Sequence, residues 1–200
     1  MDKKSFKLMR NILTIHYFFG LTTMVATEFN AQKIYINEDG TIEFLKTNKP
    51  IKIYADGVFD LFHIGHAKLF EQIKKIIPNS ILYVGVVKDD DSFKNKGVYP
   101  VMNYRERCEI VRCCRHVDEL IINPPFYPTM EFIDNLNIDI VAHDDSPYPV
   151  DGMEDCYKPF KDANRFLPTQ RENFISTTDI VKRILNNYES LVKIKKFQNI

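Results

Sequence analysis

The sequence has no surplus charge, no CxxC pair, no internal repeat or low-complexity tract, and no long unbroken apolar run. Its 27 Lys and Arg balance 27 Asp and Glu. No global field therefore draws the chain to nucleic acid or to an acidic membrane surface, and nucleic acid is not an expected partner. The cysteines are Cys108, Cys113, Cys114 and Cys156, three of them within one predicted helix. Lacking ligand spacing, they read as reduced thiols in a reducing compartment. The stretch 12–26, behind Lys3, Lys4, Lys7 and Arg10, imitates a targeting signal, with a basic start, an apolar middle and small residues near Ala26. His16, Gly20 and three threonines interrupt it, and it is short for a bilayer span. Two readings stay open: targeting or anchoring, and an extra packing element or disordered start.

What is present centres on Ile51 to His66, IKIYADGVFDLFHIGH. Ile51, Ile53, Tyr54 and Ala55 predict a short strand, and Asp56-Gly57 ends it with a turn signal. His63 and His66 follow with Gly65 between them, and Ala67, Phe70, Ile73 and Ile77 then repeat at helical spacing. The histidines thus sit where a strand hands over to a helix. The first backbone N–H groups of that helix are unpaired and its dipole is positive there, which suits a phosphate. Gly65 would let backbone approach the phosphate, and the imidazoles could donate hydrogen bonds to it or share developing charge. The competing metal reading lacks a third and fourth ligand nearby, so no metal-binding side chain is assigned.

Two hundred residues suit one core-forming domain. Residues 1–49 read as an extension holding the apolar segment and a hairpin, Lys33–Lys46, around Asp39-Gly40. Residues 50–200 read as an alternating α/β domain. Expected are a strand over 51–55, a helix over 66–77, a strand over 81–87 and a charged loop over 88–100 with Lys94, Lys96 and Gly97. A helix over 104–116 should start at an Asn103–Glu106 capping box. A strand over 119–122, a helix over 129–136 and a strand over 138–142 follow. A helix over 153–163, a strand near 165–167 and a final helix capped by Ser176 and Asp179, running to about 195, complete the set. Repeated βαβ units predict a parallel doubly wound sheet, with ligands at the carboxyl ends of its strands.

With the pieces in place, residues 51–190 resemble the choline-phosphate cytidylyltransferase family. The resemblance rests on YADGVFDLFHIGH (54–66), Lys96-Gly97, RHVDEL (115–120), AHDDSPY (142–148) and PTQR…ISTT (168–178), in the same order. It implies a Rossmann-like nucleotidyltransferase fold, transfer of a cytidylyl group from CTP to phosphocholine with release of pyrophosphate, Mg²⁺ accompanying CTP, and a homodimer. It also implies site residues. His63 and His66 would contact the triphosphate, Lys96 would bridge the reacting phosphates, and Arg171 would grip the far phosphates. Nucleotide contacts would come from Gly57, Val58, Phe59, Asp60 and Gly65. Further ones would come from Arg115, His143 and Asp144, and from Gln170, Glu172, Asn173, Phe174, Ser176 and Thr177. Choline would lie against Phe126, Tyr148 and Tyr157 with Asp144, because a quaternary ammonium offers no hydrogen bond and is held by aromatic faces and a carboxylate.

Three departures stand out. Phe126 occupies a family tryptophan position, Glu172-Asn173-Phe174 replaces Thr-Glu-Gly, and Val98-Tyr99-Pro100 makes its loop one residue longer. The alternatives are a phosphoethanolamine cytidylyltransferase and a nucleotide-binding regulator without turnover. Residues 180–196 are amphipathic with a basic end and are expected to pack on protein rather than lipid. The expected location is cytoplasmic, with peripheral membrane or nuclear placement as variants.

Overall fold

The computed structural model describes residues 13–15, 31–36, 42–46, 49–150, 152–172 and 175–197, with side chains over 49–150, 152–172 and 175–192. Strands β1 (Leu13–Ile15), β2 (Ala31–Ile36) and β3 (Ile42–Lys46) form an antiparallel sheet with β3 in the middle. The hairpin is β2–β3, with Ile36 opposite Ile42; its turn at Asp39-Gly40 lies outside the described residues. β1 comes from the apolar stretch 12–26 and pairs with β3.

From Lys52 the chain alternates. In order come β4 (Lys52–Gly57), α1 (Ile64–Ile76), β5 (Ile81–Val86), α2 (Asp89–Lys96), α3 (Tyr104–Arg112) and β6 (Glu119–Ile121). Then follow α4 (Met130–Asn135), β7 (Ile140–Asp144), α5 (Lys158–Asp162), β8 (Phe166–Thr169), α6 (Thr177–Asn186) and α7 (Tyr188–Phe197). The last five strands make one parallel sheet in the order β6-β5-β4-β7-β8. The order reverses between β4 and β7, the switch point where such sheets open a crevice at their carboxyl ends.

β4 is buried on both faces, and its period of two divides the core. Ile53 and Ala55 join Phe70 and Ile73 of α1, Leu82 and Val84 of β5 and Val111 of α3. Tyr54 joins Val141, Ile133, Phe160 and Phe166 on the other face. Each of the buried Ile, Leu, Val and Phe side chains contributes roughly 1.5–3 kcal/mol by leaving water. Gly85 has a packing reason: a Cβ there would lie 2.3 Å from the Tyr54 hydroxyl on the neighbouring strand.

Several boundaries differ from expectation. Residues 89–96 are helical, not loop; three aspartates at the amino end and Lys94 and Lys96 at the carboxyl end match the helix dipole, and Gly97 closes the helix at φ 75°. α1 begins two residues early because His63 itself caps it. α3 ends at Arg112, although its Asn103–Glu106 capping box is as expected. The helix over 153–163 shrinks to Lys158–Asp162, since the Asp155 carboxylate accepts the N–H groups of Tyr148 and Tyr157 and holds a turn instead. The final helix is broken at Asn187 into α6 and α7. Among the described residues no helix is long and apolar enough to cross a membrane.

Candidate active site

The loop from β4 to α1 is built under strain. Phe59 (φ 54°) and Leu61 (φ 45°) both take left-handed backbone that bulky residues rarely adopt, which the surrounding structure must enforce. The Phe59 ring is buried against Gly57, Phe70 and His66. The buried Asp60 carboxylate accepts the N–H groups of Val101 and Met102, each at 2.9 Å. Both residues, expected at the nucleotide, direct their side chains into the protein.

The two histidines form one interlocked unit. His63 Nδ1 accepts the Gly65 N–H at 3.1 Å, and His66 Nδ1 accepts the His63 N–H at 3.3 Å. The rings stack with centroids 3.8 Å apart. Since each Nδ1 is an acceptor, each Nε2 carries the ring proton. Burial, then the neighbouring His63, lowers the His66 pKa to about 3; burial, then Arg183, lowers that of His63. At neutral pH both rings are uncharged, and each keeps one N–H to give to a ligand. Gly65 serves this pair: a Cβ would meet the His63 ring at 2.9 Å. That contact is by itself a geometric demand for glycine here.

Cationic groups stand across the cleft. Lys96 ends α2, and its ammonium pKa is lowered first by desolvation and then by repulsion from Arg171, with Asp56 opposing. Arg171 is 82% exposed and reaches the Asp144 carboxylate at 3.5 Å. Ser176 caps α6, and the Thr177 hydroxyl donates to the Asp60 carbonyl at 3.1 Å, tying the start of α6 to the histidine loop.

Asp56, which the sequence offers only as a turn signal, is the penultimate residue of β4 and is buried. Burial raises its pKa to about 6 against the opposing influence of His143, the Tyr157 hydrogen bond and Lys96. The Tyr157 hydroxyl donates to it at 3.0 Å, and His143 stacks on the Tyr157 ring at 4.4 Å. Tyr157 is only 4% exposed, so it supports His143 and Asp56 from behind rather than presenting an open face. On the other flank Tyr148 meets His143 edge-on at 6.2 Å and Tyr127 at 6.0 Å, and Tyr127 meets Phe126 at 4.7 Å. Tyr127, absent from the expected set, links Phe126 to Tyr148.

The remaining expected residues are more dispersed. Arg115 is exposed and donates to its neighbour His116 at 3.2 Å. Its charge and that of Glu172 both act on Lys68. The Gln170 N–H donates to Gln72 of α1 at 2.8 Å. Asn173 and Phe174 lie outside the described residues. His63, His66, Lys96, His143, Asp144, Arg171 and Thr177 are thus gathered at the carboxyl ends of β4, β5, β7 and β8, while Phe59, Asp60 and Tyr157 form the scaffold beneath them.

Comparison with known proteins is consistent with this geometry. Residues 54–183 match the family model described as cytidylyltransferase-like. Choline-phosphate cytidylyltransferase from Saccharomyces cerevisiae is 50% identical over 143 residues, 72% of this chain and 34% of that protein. Choline-phosphate cytidylyltransferase A from Mus musculus is 42% identical over 165 residues, 82% of this chain and 45% of that protein. Ethanolamine-phosphate cytidylyltransferase from Dictyostelium discoideum is 41% identical over 138 residues, 68% of this chain and 37% of that protein. The chain therefore spans less than half the length of these relatives. Among solved structures, the lipopolysaccharide core biosynthesis protein from Thermoplasma volcanium GSS1 shares the fold, with TM-score 0.50 at 20% identity over 62% of this chain and 100% of its own. Two locked imidazoles at the switch point, cations across the cleft and a family model spanning both place this chain in the cytidylyltransferase-like family.

Proposed function

We propose that this chain transfers the cytidylyl group of CTP to phosphocholine, giving CDP-choline and pyrophosphate. The observation that carries the reading is the imidazole pair, whose two Nε2–H donors are fixed by backbone hydrogen bonds and stay neutral. The names and identities of the relatives support the acceptor, choline-phosphate enzymes reaching 50% and ethanolamine-phosphate enzymes 41%.

The chemistry follows from charge. A phosphocholine oxygen attacks the α-phosphorus of CTP in line, the bond to the β-phosphate oxygen breaks, and pyrophosphate leaves. The nucleophile is already an anion, so no strong base is required. Bringing two anions together while charge builds on the leaving group is the obstacle, and positioned donors and cations answer it. His63 and His66 donate to the triphosphate, Lys96 lies between the reacting phosphates, and Arg171 steadies the leaving pair. Asp144, with Tyr148 and Phe126, offers the quaternary ammonium a carboxylate and aromatic faces. Mg²⁺ would enter with CTP and would help to offset the charge of the triphosphate. A homodimer belongs to the same reading, and sedimentation tests it.

Purified protein incubated with labelled CTP and either phosphocholine or phosphoethanolamine decides the acceptor. Labelled CDP-choline formed at least tenfold faster is the expected result. Faster CDP-ethanolamine would reassign the acceptor, and CTP binding without product would make the chain a nucleotide-binding regulator.

A further inference from the structure

Among the described residues Arg107 is the largest side chain fully withdrawn from solvent, at 0% exposure in the middle of α3. A buried guanidinium is costly unless its donors are met, and here four of five are. Nε donates to the Met102 carbonyl at 3.1 Å, and Nη1 donates to the Val58 carbonyl. Nη2 donates to the Val87 carbonyl at 2.7 Å and to the Asp89 carboxylate at 2.6 Å. These acceptors belong to separate parts of the cleft. Val58 directly follows β4 and opens the histidine loop; Val87 directly follows β5; Asp89 is the first residue of α2, whose last residue is Lys96. Met102 precedes α3 and donates its own N–H to Asp60 in the histidine loop. The second Asp89 oxygen accepts the Tyr104 N–H at 3.0 Å, so this carboxylate joins α2 to α3 as well.

We propose that Arg107, acting with Asp89, is a positioning residue that sets Lys96 against the imidazole pair by fastening α2 and the histidine loop to one guanidinium. α2 is only eight residues long and buries just Ser92, so hydrophobic packing alone gives it little anchorage. Its carboxyl end relies on Gly97 and on an exposed stack of Phe93 on Tyr99 at 4.4 Å. The amino end is held by the Arg107–Asp89 pair. Releasing that end lets α2 turn about Gly97, which reorients the Lys96 side chain carried on its last turn. Lysine in place of Arg107 keeps the charge but cannot meet three carbonyls and a carboxylate from one planar fork.

The inference rests on the proposed cytidylyl transfer for its kinetic arm only. Asp89→Asn, partly exposed and nearly isosteric, is expected to keep the fold, and Arg107→Lys is the stronger variant. Both should lower kcat at least tenfold with less than a threefold change in the KM for CTP. The independent arm uses the whole chain with lysines ¹³C-methylated, the Lys96 resonance being assigned through Lys96→Arg. In Asp89→Asn that resonance should titrate closer to an ordinary lysine than in the parent. Should Arg107→Lys fail to fold, Asp89→Asn decides. A folded Asp89→Asn chain with an unmoved Lys96 titration overturns the proposal, as does unaltered kcat. If the parent makes no CDP-choline, the function reading fails, and the Lys96 titration alone then upholds or overturns the fastening.

Discussion

The two walls of the cleft are built on opposite plans. On one, His63 and His66 are half-buried, neutral, stacked and held at Nδ1 by backbone N–H groups. On the other stand the cationic groups: Arg171 is exposed, with only a 3.5 Å pairing with Asp144, and Lys96 ends α2 partly desolvated. The first wall supplies direction: its donors point where the loop places them, and they need no reorganisation as charge develops. The second supplies charge, which in water is screened until a ligand fills the space between. Neither kind suffices for a reaction between two anions. Fixed neutral donors cannot offset several negative charges, and an exposed cation such as Arg171 does not by itself select the geometry of attack.

The largest effect on this contrast comes from breaking the fixed wall. His66→Ala should lower kcat by about 10²–10³, the usual cost of one oriented donor to a developing oxyanion, while near-ultraviolet circular dichroism stays native. A rate within threefold of the parent would remove the histidine from its role. A smaller effect tests the acceptor side. Tyr148→Ala should raise the phosphocholine KM by about tenfold, the scale of one well-placed cation–π face, and leave the CTP KM nearly constant. Equal changes in the two constants would show that Tyr148 shapes the cleft as a whole.

A third test, read in stability instead of rate, separates structural cost from chemistry. Because the Asp56 pKa is about 6 in the fold against an ordinary 3.8, the folded chain keeps a proton that the unfolded chain has released between those values. Stability from this group therefore falls as pH rises from about 4 to about 6, by roughly 3 kcal/mol, and stays low above. His66 acts in the opposite sense: its pKa of about 3 against an ordinary 6.5 means stability is lost as pH falls from about 6.5 toward 3. Asp56→Asn should thus melt a few degrees higher than the parent at pH 8 and equally at pH 4, as thermal denaturation across that range will read. Equal melting at both values would mean that the buried carboxylate is already well compensated.

Much of this arrangement was legible in the sequence because it is local. The HIGH segment announces a strand-to-helix junction, and the Asn103–Glu106 and Ser176 caps are short-range patterns that the structure keeps. The alternating elements gave the parallel sheet for the same reason. What stayed hidden depends on long-range packing. Arg107 sits among Arg105, Glu106 and Glu109 and reads as one more surface charge, yet its partners are up to 49 residues away. Asp56 beside Gly57 reads as a turn, although parallel pairing with β5 carries the strand through both. Tyr157 shares its loop chemistry with Tyr148, and only the fold makes one the support and the other a wall. Over 88–100 the density of charge reads as a loop, whereas the ordering of those charges along the segment favours the helix found at Asp89–Lys96.

The hydroxyl of Thr177 meets the carbonyl of Asp60 across 117 positions of sequence. During synthesis the β4-to-β8 sheet would be fully emitted before that contact becomes possible. The histidine loop therefore takes its final setting only when the segment after β8 has folded back onto it, so the start of α6 is part of the cleft and not an appendage to it.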